Sequence, residues 1–341
     1  MQALHQKAGN VGLRGGGTTQ KRLPSTCMWL RHNFWMRPLV CKSREDDEPR
    51  EEEGPKERAF NRLSATIKRK QKELEAQLHE MGQEALEERL KSAVQVPAAP
   101  AYRLASLIAE AVPTGVAVLV LELARPENTS TTSQELAQMA REFVAAGADA
   151  LAVRCDSNDT TSGLTDLFCV TQAVGKDVPV IANDWMIHPL QVVEVKQTGA
   201  AGVLGIIHQV NGRGTAVMSS FTAAIGLDCP VEVVNAQEVE ALARTGVAFY
   251  GINLNVGLNL PIPGFSTDIA HGILGELPFG AISMVGVRTL EEARKARLSG
   301  ADSLFIKKEL IDAALAKHGP NRMYAIKQLC DQLSYLTSND D

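Results

Sequence analysis

Between residues 146 and 305 the chain repeats one junction four times: "AGADAL", "TGAAGVL", "TGVAFYG" and "SGADSLF". Each places a glycine after a stretch of helix formers and directly before an apolar run. Glycine there takes the left-handed position that ends a helix, and the apolar run then reads as a buried parallel strand. A chain built of such junctions alternates strands and helices, so its sheet is parallel and covered by the helices between strands.

Eight apolar segments follow this pattern: 116 to 123, 149 to 154, 178 to 183, 202 to 207, 230 to 234, 248 to 253, 280 to 285 and 301 to 306. Helix formers fill the intervals, among them 133 to 146, 189 to 198, 236 to 245 and 289 to 298. Eight βα units predict an α/β fold, a (β/α)8 TIM barrel with an N-terminal helical extension, whose usual size is about 250 residues. A doubly wound open sheet is the alternative, but no GxGxxG follows any strand.

The rest of the chain is of different character. Residues 1–44 hold eight Lys or Arg and no Asp or Glu, the composition of a transit peptide. Features such as "GLRGGGTTQKRLPST" and "LVCK" point to the chloroplast, with the mitochondrion as the alternative. Residues 45–58, "EDDEPREEEGPKER", read as an acidic disordered linker. Residues 59–95 read as two N-terminal helices broken near Met81-Gly82, and 96–341 as the barrel. Removing the leader leaves 27 of the 35 basic residues against 40 acidic ones, a net charge of about −13. That charge argues against a nucleic-acid partner. No apolar run reaches the roughly 18 residues of a membrane span. The six cysteines show no CxxC or Cys/His spacing, which speaks against a structural zinc or a disulfide framework.

In a barrel of this kind the chemistry gathers at the carboxyl ends of the strands. The polar residues expected there are Glu122 and Arg125, Asn183 and Asp184, His208, Glu232, Asn253, Ser283, and Lys307 with Lys308. Of these, Glu232 is the most demanding, because a carboxylate inside "PVEVV" requires a polar partner.

In this order the strand ends resemble the indole-3-glycerol-phosphate synthase family. The stretches that carry the likeness are "DALAVRCDSNDTTSGLTDL", "IANDWMIHPLQVVEVKQTGAAGVLGI", "PVEVVNAQEVEALARTGVAFYGIN" and "GVRTLEEARKARLSGADSLFI". "ATIKRKQKEL" (65 to 74) is similar to the family's basic helix that covers the site. The resemblance implies a lyase of tryptophan biosynthesis that closes and decarboxylates an anthranilate-derived ribulose phosphate. It calls for no cofactor or metal. It assigns Glu122, Glu232 and Asn253 to catalysis; Arg125, Asp184, His208, Ser283, Gly286, Lys307 and Lys308, from their place at the strand ends, are the candidates for substrate binding.

The departures from the family's pattern matter as much. Where the family places lysines after strands one and three, this sequence has Ala124 and Asn183, and an amide has no proton to give at neutral pH. Its Glu-Ser-Gly in strand seven becomes Met284-Val285-Gly286, and its phosphate-cradling Gly-Glu-Ser becomes "KKEL". The expectation is therefore a catalytically degenerate barrel, a pseudoenzyme, that binds a phosphorylated metabolite or a protein partner. The partner would engage the loop 253 to 268 through Leu258, Leu260, Ile262 and Phe265. An active synthase is the alternative; a different reaction around Glu122, Glu232 and His208 is a third.

Overall fold

The computed structural model describes residues 55–127, 130–256, 265–319 and 321–336. The expected leader, most of the expected linker and residues 257–264 of the apolar loop lie outside them. Eight parallel strands follow one another around a sheet: β1 (Val118–Leu123), β2 (Ala150–Arg154), β3 (Val180–Asn183), β4 (Gly202–Leu204), β5 (Val231–Val233), β6 (Phe249–Ile252), β7 (Ile282–Val287) and β8 (Ser303–Ile306). β1 pairs with both β2 and β8, so the first and last strands are neighbours. Between β4 and β5 the ring is completed by two single bridges, Gly202 to Asp228 and Ile207 to Glu232. The close approach depends on Gly202, where a Cβ would lie 2.5 Å from the Asp228 carbonyl oxygen. This is the expected (β/α)8 barrel.

Two helices precede it, α1 (Pro55–Met81) and α2 (Gln83–Gln95). Gly82 separates them at φ +75°, the interruption expected from the sequence. α1 starts inside the stretch read as linker, with proline at its first position, where its missing N–H costs nothing. α3 (Arg103–Ala111), absent from the expected elements, lies across the amino-terminal end of the barrel. The connections between strands carry α4 (Ser133–Ala145), α5 (Gly163–Val174), α6 (Pro189–Gln197), the short α7 (His208–Asn211), α8 (Thr215–Ala224), α9 (Ala236–Ala243), α10 (Phe265–Gly275) and α11 (Leu290–Leu298). α12 (Lys308–His318) and α13 (Arg322–Ser334) complete the chain.

Strand side chains alternate between the barrel interior and the helices. Inward residues Val118 and Val120, Ala150 and Ala152, Ile181, Leu204, Phe249, Met284 and Phe305 form one apolar cluster with Leu104 and Ile108 of α3. Leu104 and Ile108 are fully buried and stopper the barrel from below. The Asp228 carboxylate fixes α3 in place by accepting the N–H groups of Leu104 at 2.7 Å and Ala105 at 3.1 Å. It thus supplies the cap that the side chain of Tyr102, the residue before the helix, does not.

Candidate functional site at the barrel mouth

The same two-residue period carries the interior from hydrocarbon to charge. Above Val118 and Val120 comes Glu122; above Ala150 and Ala152, Arg154; above Ile181, Asn183; above Phe305, Lys307. These four side chains line a cavity of about 190 Å3 at the carboxyl ends of the strands, whose wall also includes Asp184 and Arg288.

Glu122 is the hub. Its Oε1 accepts from Arg154 Nη2 at 2.7 Å and Nε at 3.0 Å, and from Asn183 Nδ2 at 3.1 Å. Its Oε2 accepts the backbone N–H of Lys308 at 2.8 Å, the first helical residue of α12. Both oxygens of this buried carboxylate are therefore engaged, as burial of a charge demands. Burial opposes the charge of Arg154, but the attraction of Glu122 outweighs it and raises the guanidinium's pKa.

α1 leans over this mouth. Lys70, only 5% exposed, places Nζ 2.7 Å from Asp184 Oδ1 and 3.2 Å from Asp156 Oδ1. Arg69 grips both oxygens of Asp156 at 2.7 and 2.9 Å. Burial lifts the Asp184 carboxyl above its ordinary value against the pull of Lys70. Lys70 itself is raised, because the two aspartates overcome the cost of burying it.

Glu232 and Lys307 form the third part of the site. Glu232 is completely buried, and its carboxylate accepts the N–H groups of Asn255 and Val256, each at 2.9 Å. It thereby holds the chain leaving β6. Lys307 is 5% exposed, and its ammonium makes no hydrogen bond or ion pair among the described residues. Burial pushes Glu232 up and Lys307 down. The lysine stem passes over Gly286, where a Cβ would stand 2.8 Å from Lys307 Cε and 2.0 Å from the Asn253 carbonyl oxygen. Only glycine leaves room for it there.

Several expected site residues are used elsewhere. Arg125 donates Nε and Nη2 to Asp166, both at 2.7 Å, and bonds the Thr131 carbonyl. It staples the loop after β1 to the start of α5 and does not line the cavity. His208 Nδ1 sits 3.2 Å from Thr215 Oγ1, away from the mouth. Ser283 lies low on β7, its hydroxyl and N–H bonded to Asp302; three residues before Gly286 and out of phase with the inward Met284, it faces the outer side of the sheet rather than the barrel interior. Lys308 sends its side chain outward to Glu127 and Asp312; only its backbone reaches the site. Asn253, at φ +56°, donates Nδ2 to the Gly286 carbonyl at 2.8 Å and borders a separate small pocket behind β7. Met284 is in the lower core rather than the mouth. Arg154, Lys70, Asp156 and Arg288 were not among the expected site residues. For Arg154 the signal was its even spacing from Ala150 and Ala152.

Among the described residues no group of three or more His, Cys, Asp or Glu could hold a metal ion, and no helix is long and apolar enough to cross a membrane.

Fold and site together define a parallel (β/α)8 barrel whose polar mouth lies at the carboxyl ends of its strands beneath an N-terminal helix. Residues 63–319 match the family model described as indole-3-glycerol phosphate synthase, and the chain belongs to that family. It is 29% identical over 183 residues to an indole-3-glycerol phosphate synthase of Opitutus terrae, covering 52% of this chain and 67% of that one. A protein of the same name from Exiguobacterium sibiricum is 31% identical, with 51% and 66% covered. Another from Syntrophobacter fumaroxidans is 27% identical over 264 residues, 74% of this chain and 92% of that one.

Proposed function

We propose that this barrel binds a small phosphorylated metabolite in its mouth and has lost the ring-closing turnover of its family. The observation that carries the reading is the bond from Asn183 to Glu122. At the position where the resemblance implies a proton-donating lysine stands an amide, and it is occupied in holding a carboxylate. Loss of a general acid costs about 10²- to 10⁴-fold in rate, and Ala124 leaves a second such position without a charge.

Capacity to bind is supported by the cations at the mouth. Arg154, Arg288 and Lys307 face one cavity, and its volume is below the roughly 300–1,000 Å3 of pockets for drug-sized ligands. That size suits a small sugar phosphate better than an anthranilate-derived ribulose phosphate. The basic leader supports a chloroplast address, which import of a leader-fused fluorescent protein into isolated plastids would test.

One observation favours a second reading, an active synthase: Lys307 could supply the proton that Asn183 cannot. A fluorescence assay for indole-glycerol phosphate separates the two. The unmodified chain is expected to be silent, the variant with Ala124→Lys and Asn183→Lys to gain signal, and calorimetry to show glycerol 3-phosphate binding to the unmodified chain. Turnover by the unmodified chain would overturn the binding reading.

A further inference from the structure

We propose that Lys307 is a nucleophile that captures a small phosphorylated aldehyde or ketone as a covalent imine; the inference rests on occupancy of the mouth by a phosphorylated metabolite. Every other buried cation at the mouth has its partner. Lys70 is bound between Asp184 and Asp156, and Arg154 lies on Glu122. Lys307 alone among the buried lysines is directed into the cavity with no hydrogen bond or ion pair among the described residues. Gly286 leaves room for its stem to rise from β8 into the mouth.

Lysine becomes a nucleophile when it is desolvated and placed near other positive charge. Both conditions are met here. Burial and then Arg288 lower the pKa of the Lys307 ammonium, against the pull of Glu232, Glu122 and Glu309. Glu232 holds its proton more tightly than an ordinary carboxyl because it is buried, against the backbone N–H groups and Lys307 that favour its charge.

The chemistry needs no oxidant, reductant or metal. The neutral Lys307 amine forms a C–N bond to the carbonyl carbon, and the carbonyl oxygen takes a proton from Glu232. Nitrogen then returns one proton to Glu232. That proton passes to the new hydroxyl, the C–O bond breaks, water leaves, and the nitrogen lone pair closes the C=N bond. One amine, one carbonyl and one proton give one iminium and one water. Arg154 and Arg288 would hold the phosphate.

The test is reductive trapping. The whole chain is incubated with glycolaldehyde phosphate and borohydride, and the modified peptide is located by mass spectrometry. We expect one secondary amine per chain, at Lys307, with labelling at least tenfold above any exposed lysine and rising with pH as the ammonium loses its proton. Lys307→Arg should abolish the adduct, while the unmodified chain binds glycerol 3-phosphate, which has no carbonyl, as measured by calorimetry. Glycerol 3-phosphate binding without a Lys307 adduct, or label spread evenly over surface lysines, would overturn the covalent step and leave the binding reading intact. Failure of both compounds, with no binding of glycerol 3-phosphate and no Lys307 adduct, would overturn both.

Discussion

The lower and upper halves of the barrel interior are made by the same strands, two residues apart, yet they are held together by opposite physics. Below, Val120, Ala152, Ile181, Met284 and Phe305 pack without a polar atom between their side chains. Above, Glu122, Arg154, Asn183 and Lys307 are charged or polar, and three of them are secured by mutual hydrogen bonds. The lower half works by area removed from water and tolerates no vacancy. The upper half works only if each polar group keeps its partner, so its tolerance is set by hydrogen-bond accounting.

Two substitutions of similar expected cost should separate these regimes. Phe305→Ala empties the lower layer and should cost about 3–5 kcal/mol in denaturant unfolding. Glu122→Ala leaves Asn183 and the Lys308 N–H without an acceptor and turns Arg154 toward solvent, so it should cost about 2–4 kcal/mol. High salt distinguishes them: it should alter the Glu122 penalty and leave the Phe305 penalty unchanged. Equal salt responses would erase the contrast.

A somewhat smaller effect is expected where α1 meets the mouth. Lys70→Met should cost about 2–3 kcal/mol, below the 3–5 of a wholly buried pair because both aspartates retain some solvent contact. Hydrogen exchange should show α1 losing protection while β1 and β8 keep theirs. Uniform loss of protection would mean that α1 and the barrel form one cooperative unit.

The base of the barrel contributes a pH dependence. Burial pushes Asp228 from 3.8 to about 6, against the N–H groups of Leu104 and Ala105. A carboxyl raised on folding contributes stability that is fully present below 3.8 and lost as pH rises through about 6. The native chain should therefore lose on the order of 1–3 kcal/mol across that window relative to Asp228→Asn. A parallel pH profile for the two chains would remove Asp228 as the cause.

The smallest effect is expected one residue beyond the site. Lys308→Ala removes exposed ion pairs to Glu127 and Asp312 and should change stability by about 0–1 kcal/mol, measured by thermal unfolding. Because its contribution to the mouth is a backbone N–H, the mouth should be unaffected.

Legibility of the site followed the reach of local rules. Strand periodicity and the glycine junctions predicted eight strands, each overlapping an observed one, and two-residue alternation was enough to point Glu122 and Glu232 inward. The same rule applied to "DALAVR" would have found Arg154. Arg125 could not be resolved this way, since its partner Asp166 is 41 residues away and any cation beside the mouth looks alike in sequence. Nor could Ser283, whose place low on β7 depends on where the strand begins.

By itself the sequence determined the order of strands and helices, the parallel barrel, the interruption at Gly82 and the pairing of an apolar interior with a polar rim. These follow from backbone conformation and burial, which act over a few residues. Only the tertiary structure decided which charges at the rim are neutralised: Lys70 by aspartates on two other strands' loops, Arg154 by Glu122, and Lys307, among the described residues, by no direct partner. Electrostatic pairing is a property of distances across the barrel, and those arise only when strands far apart in the chain are brought side by side.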